Sequence, residues 1–119
     1  MCNIHAMEII PSQASINSIA HYRDEFDNKD LNYKELLVKL KSVIQQQNFM
    51  TEHDTTEWMQ MRGIDYLSNP KLFCHAPLTH LCAFLGELFN RYELQELQDK
   101  LSPEILECAL TRLGQFKSS

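Results

Sequence analysis

Only three glycines occur in the chain, Gly63, Gly86 and Gly114, and their spacing forms neither a GxGxxG nor a Walker-type loop. Such loops need glycine freedom to bring backbone amides onto phosphate, so nucleotide binding through those motifs is excluded. No apolar run approaches the roughly eighteen to twenty residues that span a bilayer, so no membrane segment is expected. Basic residues are also few: eleven Lys and Arg stand against sixteen Asp and Glu, a formal charge of −5. A phosphate track needs clustered cations, and here only Lys34, Lys39 and Lys41 gather, on what reads as a solvated helix face; nucleic acid is not an expected partner. The four cysteines, Cys2, Cys74, Cys82 and Cys108, lie far apart and form no CxxC pair. The first residues lack the basic and apolar regions of an export leader, so a cytoplasmic location is expected. The cysteines then read as reduced thiols, with Cys82 and Cys108 as small apolar fillers.

What the chain does have is helical periodicity. At 119 residues, 44% apolar and 23% charged, it is long enough to bury one core. Leu78, Leu81, Cys82, Leu85, Leu88, Phe89 and Tyr92 recur at steps of three and four, which places them on one face of a helix. Phe84 widens that stripe until two neighbours are needed to cover it, so this segment is expected to be the central helix. His80, Glu87 and Arg91 fall opposite and are expected to face water, with Glu87 and Arg91 as an i,i+4 pair.

The other elements follow from caps and stripes. Ser12 or Ser15 starts a helix carrying Ile16, Ile19, Ala20 and Phe26; residues 24–30 read as a polar connection. Asn32 with Glu35 is a capping-box pattern ahead of Leu36, Leu37, Leu40, Val43 and Ile44. Asp54 and Glu57 open a third helix through Trp58 and Met61, continuing to Ile64, Tyr66 and Leu67, which Gly63 weakens by about 1 kcal/mol. Asn69-Pro70 starts a short turn with Leu72 and Phe73, and Pro77 starts the central helix. Leu94, Leu97 and Leu101 mark a further short helix. Ser102-Pro103 opens the last, which Gly114 ends. These patterns predict an all-α, single-domain compact bundle of five to seven helices. Residues 1–11 form an N-terminal arm, 12–114 the helical domain and 115–119 a frayed tail.

Several side-chain groups bear on chemistry. Cys74, His75, His80 and Cys82 are zinc-type ligands, but His80 and Cys82 stand about 200° apart around a helix and do not converge, so no metal is expected. Catalysis by Cys74 needs a base such as His53, His75 or His80, and no oxyanion-hole motif accompanies the thiol. The groups at 21–25 and 52–54 pair His with carboxylates, yet both fall at helix ends, where acids cap and solvate. No cofactor is expected. Trp58, the only tryptophan, reads as a core anchor or as a stacking surface for a ligand or partner.

The order of these features resembles an uncharacterised all-helical bacterial domain family that is also found appended to macrodomain proteins. The resembling positions are Ile16, Ile19, Phe26, Phe49-Met50, the Asp54–Trp58 start, Gly63, Leu67, Asn69-Pro70, the leucine ladder and Leu110-Thr111-Arg112-Leu113. They span most of the chain. The resemblance implies a helical fold and carries no assigned activity. In that family an RxDRF-like segment and a Glu-Gly follow the ladder; here Asn90-Arg91-Tyr92-Glu93-Leu94 stands there, and Glu104 replaces a glycine. Any polar site shared at that point is expected to be lost or rebuilt.

The reading that fits best is a noncatalytic binding or accessory domain, acting through contact with a protein partner or a second copy of itself as a homodimer. Its expected surface is the apolar overflow of Trp58, Met61, Tyr66, Phe73, Phe84 and Tyr92, with Arg91 at the edge. The alternatives are a small-molecule pocket between helices, lined by Trp58, Met61 and Phe84 with Arg91 or His80 as polar handle, and an enzyme using Cys74 or a His–carboxylate pair.

Overall fold

Three helices begin where a short polar side chain satisfies an amide that the helix itself leaves open. Ser12 Oγ accepts from the Ser15 N–H at 3.2 Å, Asn32 Oδ1 from Glu35 at 3.2 Å and Ser102 Oγ from Ile105 at 3.3 Å. The computed structural model describes residues 12–46 and 59–116, and every regular element among them is helical. Helix α1 (Gln13–Ala20) runs into a 3₁₀ turn (His21–Asp27), followed by α2 (Tyr33–Gln46). A π turn (Met59–Gly63) passes into α3 (Ile64–Ser68), and a second 3₁₀ turn (Pro70–His75) leads to α4 (Leu78–Arg91). Helices α5 (Leu94–Lys100) and α6 (Pro103–Gly114) complete the described part. The all-α class expected from the periodicity is the class observed. The arm at 1–11, the start of the third helix around Asp54 and Trp58, and the end of the tail lie outside the described residues.

From Leu81 to Phe89, helix α4 is enclosed around its whole circumference. Leu81, Cys82, Phe84, Leu85, Leu88 and Phe89 are buried, and so are Ala83, Gly86 and Glu87 on the side expected to face water. Helix α2 packs along it, bringing Leu36, Leu37, Leu40 and Ile44 into the same core, while the Met59–Gly63 turn and α6 close the remaining sides. Burying each Leu or Phe here contributes about 1.5–3 kcal/mol.

Glu87 corrects the expectation of a wet face. It retains only 4% of its exposure, and its carboxylate accepts a hydrogen bond from Arg91 Nε one turn further on. The i,i+4 pairing was legible; the burial was not, because enclosure depends on neighbours from distant sequence. Lys41 departs likewise from its solvated reading. Its Nζ donates to the carbonyls of Phe89 at 2.9 Å and Tyr92 at 2.7 Å, covering oxygens that the end of α4 leaves open.

The polar stretch from Asp24 is helical as far as Asp27, not a plain connection. Arg23 explains it. The guanidinium spans Asp27 at 3.0 Å and Glu107 at 3.1 Å, and Nε donates to Thr111 Oγ1 at 3.2 Å, so ion pairs fasten this turn to α6. The hydrogen bond to Asp27 raises the Arg23 pKa against the opposing effect of burial. Tyr33 supplies another tie, donating from its hydroxyl to the Leu101 carbonyl at 2.5 Å; burial raises its pKa. Helix α5 starts on a capping box between Glu93 and Glu96.

Candidate functional site

The residues proposed from sequence as a partner surface separate in space. Tyr66, Phe73 and Phe84 do come together, but as a buried stack. Ring centroids lie 4.5 Å apart for Tyr66–Phe73, 5.0 Å for Phe73–Phe84 and 6.1 Å for Tyr66–Phe84. The offset and edge-on geometries are those aromatic quadrupoles favour. These rings are core, which corrects both the surface reading and the pocket imagined around Phe84. Arg91 and Tyr92 lie about two turns beyond Phe84, roughly 10 Å along α4. There Arg91 pairs with Glu87, and Lys100 sits 5.1 Å from the centroid of the half-buried Tyr92 ring. Met61 is at the surface, at 67% exposure, and Arg91 is exposed as well; Ile64 and Leu72 join Met61 as exposed apolar side chains in the same stretch of chain. Trp58 lies outside the described residues.

His80, offered as a polar handle or ligand, is half-buried and shares a hydrogen bond with the Tyr66 hydroxyl, Nδ1 to O, at 2.9 Å. Burial, reinforced by the Arg62 charge, lowers its pKa and so favours the neutral ring. Burial also raises the pKa of Tyr66, the larger influence there. Cys82 is fully enclosed and its thiol is pushed up to about 12 by burial. The two therefore point to different environments, as their angular separation on the helix required. Among the described residues no three His, Cys, Asp or Glu side chains converge as a metal site. No helix of the described residues is long and apolar enough to cross a membrane. His21 faces Asp24 at 3.7 Å with both side chains largely exposed, and Arg23 is committed to its two carboxylates. The group at 52–54, with His53, lies outside the described residues.

A concavity among the described residues lies elsewhere. A groove of about 390 Å³ runs between the Pro70–His75 turn and α6. Pro70, Phe73 and Cys74 form one wall, while Glu104, Cys108, Thr111 and Arg112 come from the other. The 3₁₀ turn exists because Asn69-Pro70 fixes the chain as it leaves α3 and Phe73 is drawn into the aromatic stack. The spacing of the α6 wall is helical: 104, 108, 111, 112 and 115 share the side opposite the buried Leu106, Leu110 and Leu113. Arg112 ties the two walls. Its Nε donates to the Ala76 carbonyl at 2.8 Å and Nη1 to Gln115 Oε1 at 2.5 Å, while the guanidinium lies 4.8 Å from the Phe116 ring centroid.

The groove has a definite electrostatic bias. Glu107 is partly answered by Arg23, and Arg112 is occupied with its carbonyl and amide partners. Glu104 makes no ion pair among the described residues. The pKa of Cys108 is raised by burial and then by Glu104, Glu107 and Cys74, which places both thiols and both acids within mutual influence. Cys108 is partly buried: it packs against the core, as its apolar spacing predicts, and also lines the groove wall. Cys74 is exposed, and no histidine lines the groove beside it. Sequence carried one signal toward this site, the Leu110-Thr111-Arg112-Leu113 segment, whose polar pair interrupts an apolar stripe. No family model, curated protein or solved structure matches the chain.

Proposed function

We propose that this chain is a noncatalytic helical binding domain whose contact with another protein is made in the groove between the Pro70–His75 turn and α6. The occupant is a segment of a different protein, carrying an apolar side chain beside a Lys or Arg. The observation that carries this reading is the pairing of a partly exposed apolar wall at Pro70, backed by the buried Phe73, with the Glu104 carboxylate on the facing helix, which makes no ion pair among the described residues. An acidic rim on a chain of formal charge −5 favours a cationic partner and disfavours a second copy of the same surface. Exposed Met61, Ile64 and Leu72 supply apolar surface that a larger partner covers.

A random-peptide display selection on the full chain tests the reading. The expected outcome is a consensus with an apolar residue next to a basic one, whose binding is lost on Glu104→Lys and retained on Val38→Ser. Selection without a consensus, or a consensus indifferent to Glu104, rejects it. A second reading has one observation in its favour: the groove volume falls within the range of about 300–1,000 Å³ typical of small-molecule pockets. A thermal-shift screen of cationic metabolites distinguishes it, since stabilisation by a metabolite together with an empty peptide selection selects the small-molecule reading.

A further inference from the structure

Two of the four cysteines, Cys74 and Cys108, stand on facing walls of the groove, and both reach solvent. The register between the walls is fixed by Arg112, which holds the Ala76 carbonyl at 2.8 Å. One helical turn back from Arg112, about 5.4 Å along the axis, is Cys108. Two residues back from Ala76 is Cys74. The electrostatic influence of Cys74 on the Cys108 thiol agrees with that register. We propose that Cys74 and Cys108 form a reversible disulfide across the groove, with a low-molecular-weight disulfide such as glutathione disulfide as the oxidant. This concerns the same groove as the proposed binding site but does not depend on what occupies it.

The exchange balances in two steps. Cys74, the more exposed thiol, gives its proton to water, and its thiolate attacks one glutathione sulfur. The glutathione S–S bond breaks, one glutathione leaves as thiolate, and Cys74 carries the other as a mixed disulfide. Cys108 then loses its proton and attacks the Cys74 sulfur, expelling the second glutathione. Two electrons pass from the protein dithiol to glutathione disulfide, giving one protein disulfide and two glutathione thiols. The bond requires a Cα separation of roughly 4.4–6.8 Å between the two walls. Because burial, and then Glu104 and Glu107, hold the Cys108 proton, the second step quickens as pH rises. Cys82 does not compete, being enclosed within α4.

The test uses the full chain, incubated with glutathione disulfide, alkylated under non-reducing conditions and analysed by intact mass and by peptide fragmentation. The expected result is loss of two alkylatable thiols, a mass lower by two hydrogens, and a link joining Cys74 to Cys108 that dithiothreitol reverses. Cys74→Ser, at an exposed position, should abolish the link. Alkylation of all four cysteines, a persistent glutathione adduct on Cys74, or a link through Cys2 or Cys82 overturns the proposal. The mapping on the unaltered chain decides the matter even if a variant fails to fold. Peptide selection on the reduced chain reads the binding proposal separately, so either can fail without the other.

Discussion

The surroundings of α4 and the groove beside α6 use similar residues to opposite ends. Around α4, polar groups meet partners inside the protein: Glu87 accepts from Arg91, and Lys41 covers the Phe89 and Tyr92 carbonyls. Apolar faces there are covered from every side. Along the groove, one carboxylate lacks an ion pair among the described residues, two thiols reach solvent, and an apolar wall stays partly open. The first arrangement spends its side chains on stability. The second leaves them available for contact, and function is to be sought where stability is least invested.

That contrast breaks first under core truncation. Phe84→Ala removes a fully buried ring of the aromatic stack and should cost about 3–5 kcal/mol by urea unfolding. This is a large part of the roughly 5–15 kcal/mol available to a domain. Lys41→Met should cost about 1–3 kcal/mol, because two carbonyls lose a charged donor while the apolar stem is kept. Ser102→Ala, which removes the cap of α6, should cost about 1 kcal/mol. Glu104→Gln should change stability by less than about 0.5 kcal/mol, as expected of an exposed acid that makes no ion pair among the described residues. If Glu104→Gln proves as damaging as Lys41→Met, the distinction between the two regions fails.

His80 sharpens the comparison through pH. Its folded pKa lies below the ordinary value of 6.5, chiefly through burial. The unfolded chain therefore binds the proton more readily, so the contribution of His80 to stability is complete above that value. It declines as the pH falls below it toward the folded pKa. His80→Gln should flatten this acid slope in unfolding measured across mildly acidic pH.

The sequence made the helices readable because each carries its own start and stripe. Ser102-Pro103 with Ile105, Leu106, Ala109 and Leu110 needed no knowledge of neighbours, and the breadth of the α4 stripe already implied contact from two sides. What it hid were outcomes set by packing partners. Phe73 and Phe84 were candidates for the surface because one stripe could not hold them, yet Tyr66 from α3 completes a stack that does. Asp24 to Asp27 looked like a connection because Arg23 holds that turn through Glu107, more than eighty residues away. The groove was the least legible feature. Cys74, Cys108 and Glu104 acquire meaning only once the 3₁₀ turn lies against α6.

The most direct measurement is nuclear magnetic resonance mapping of the ¹⁵N-labelled chain during titration with a basic-apolar peptide from the display selection. The account predicts that the shifted amides cluster at Cys74, Glu104, Cys108, Thr111 and Arg112, with Val38 and Leu94 on the far side unmoved. Shifts centred on Val38, Lys41 and Leu94 instead, with the groove amides silent, would contradict it.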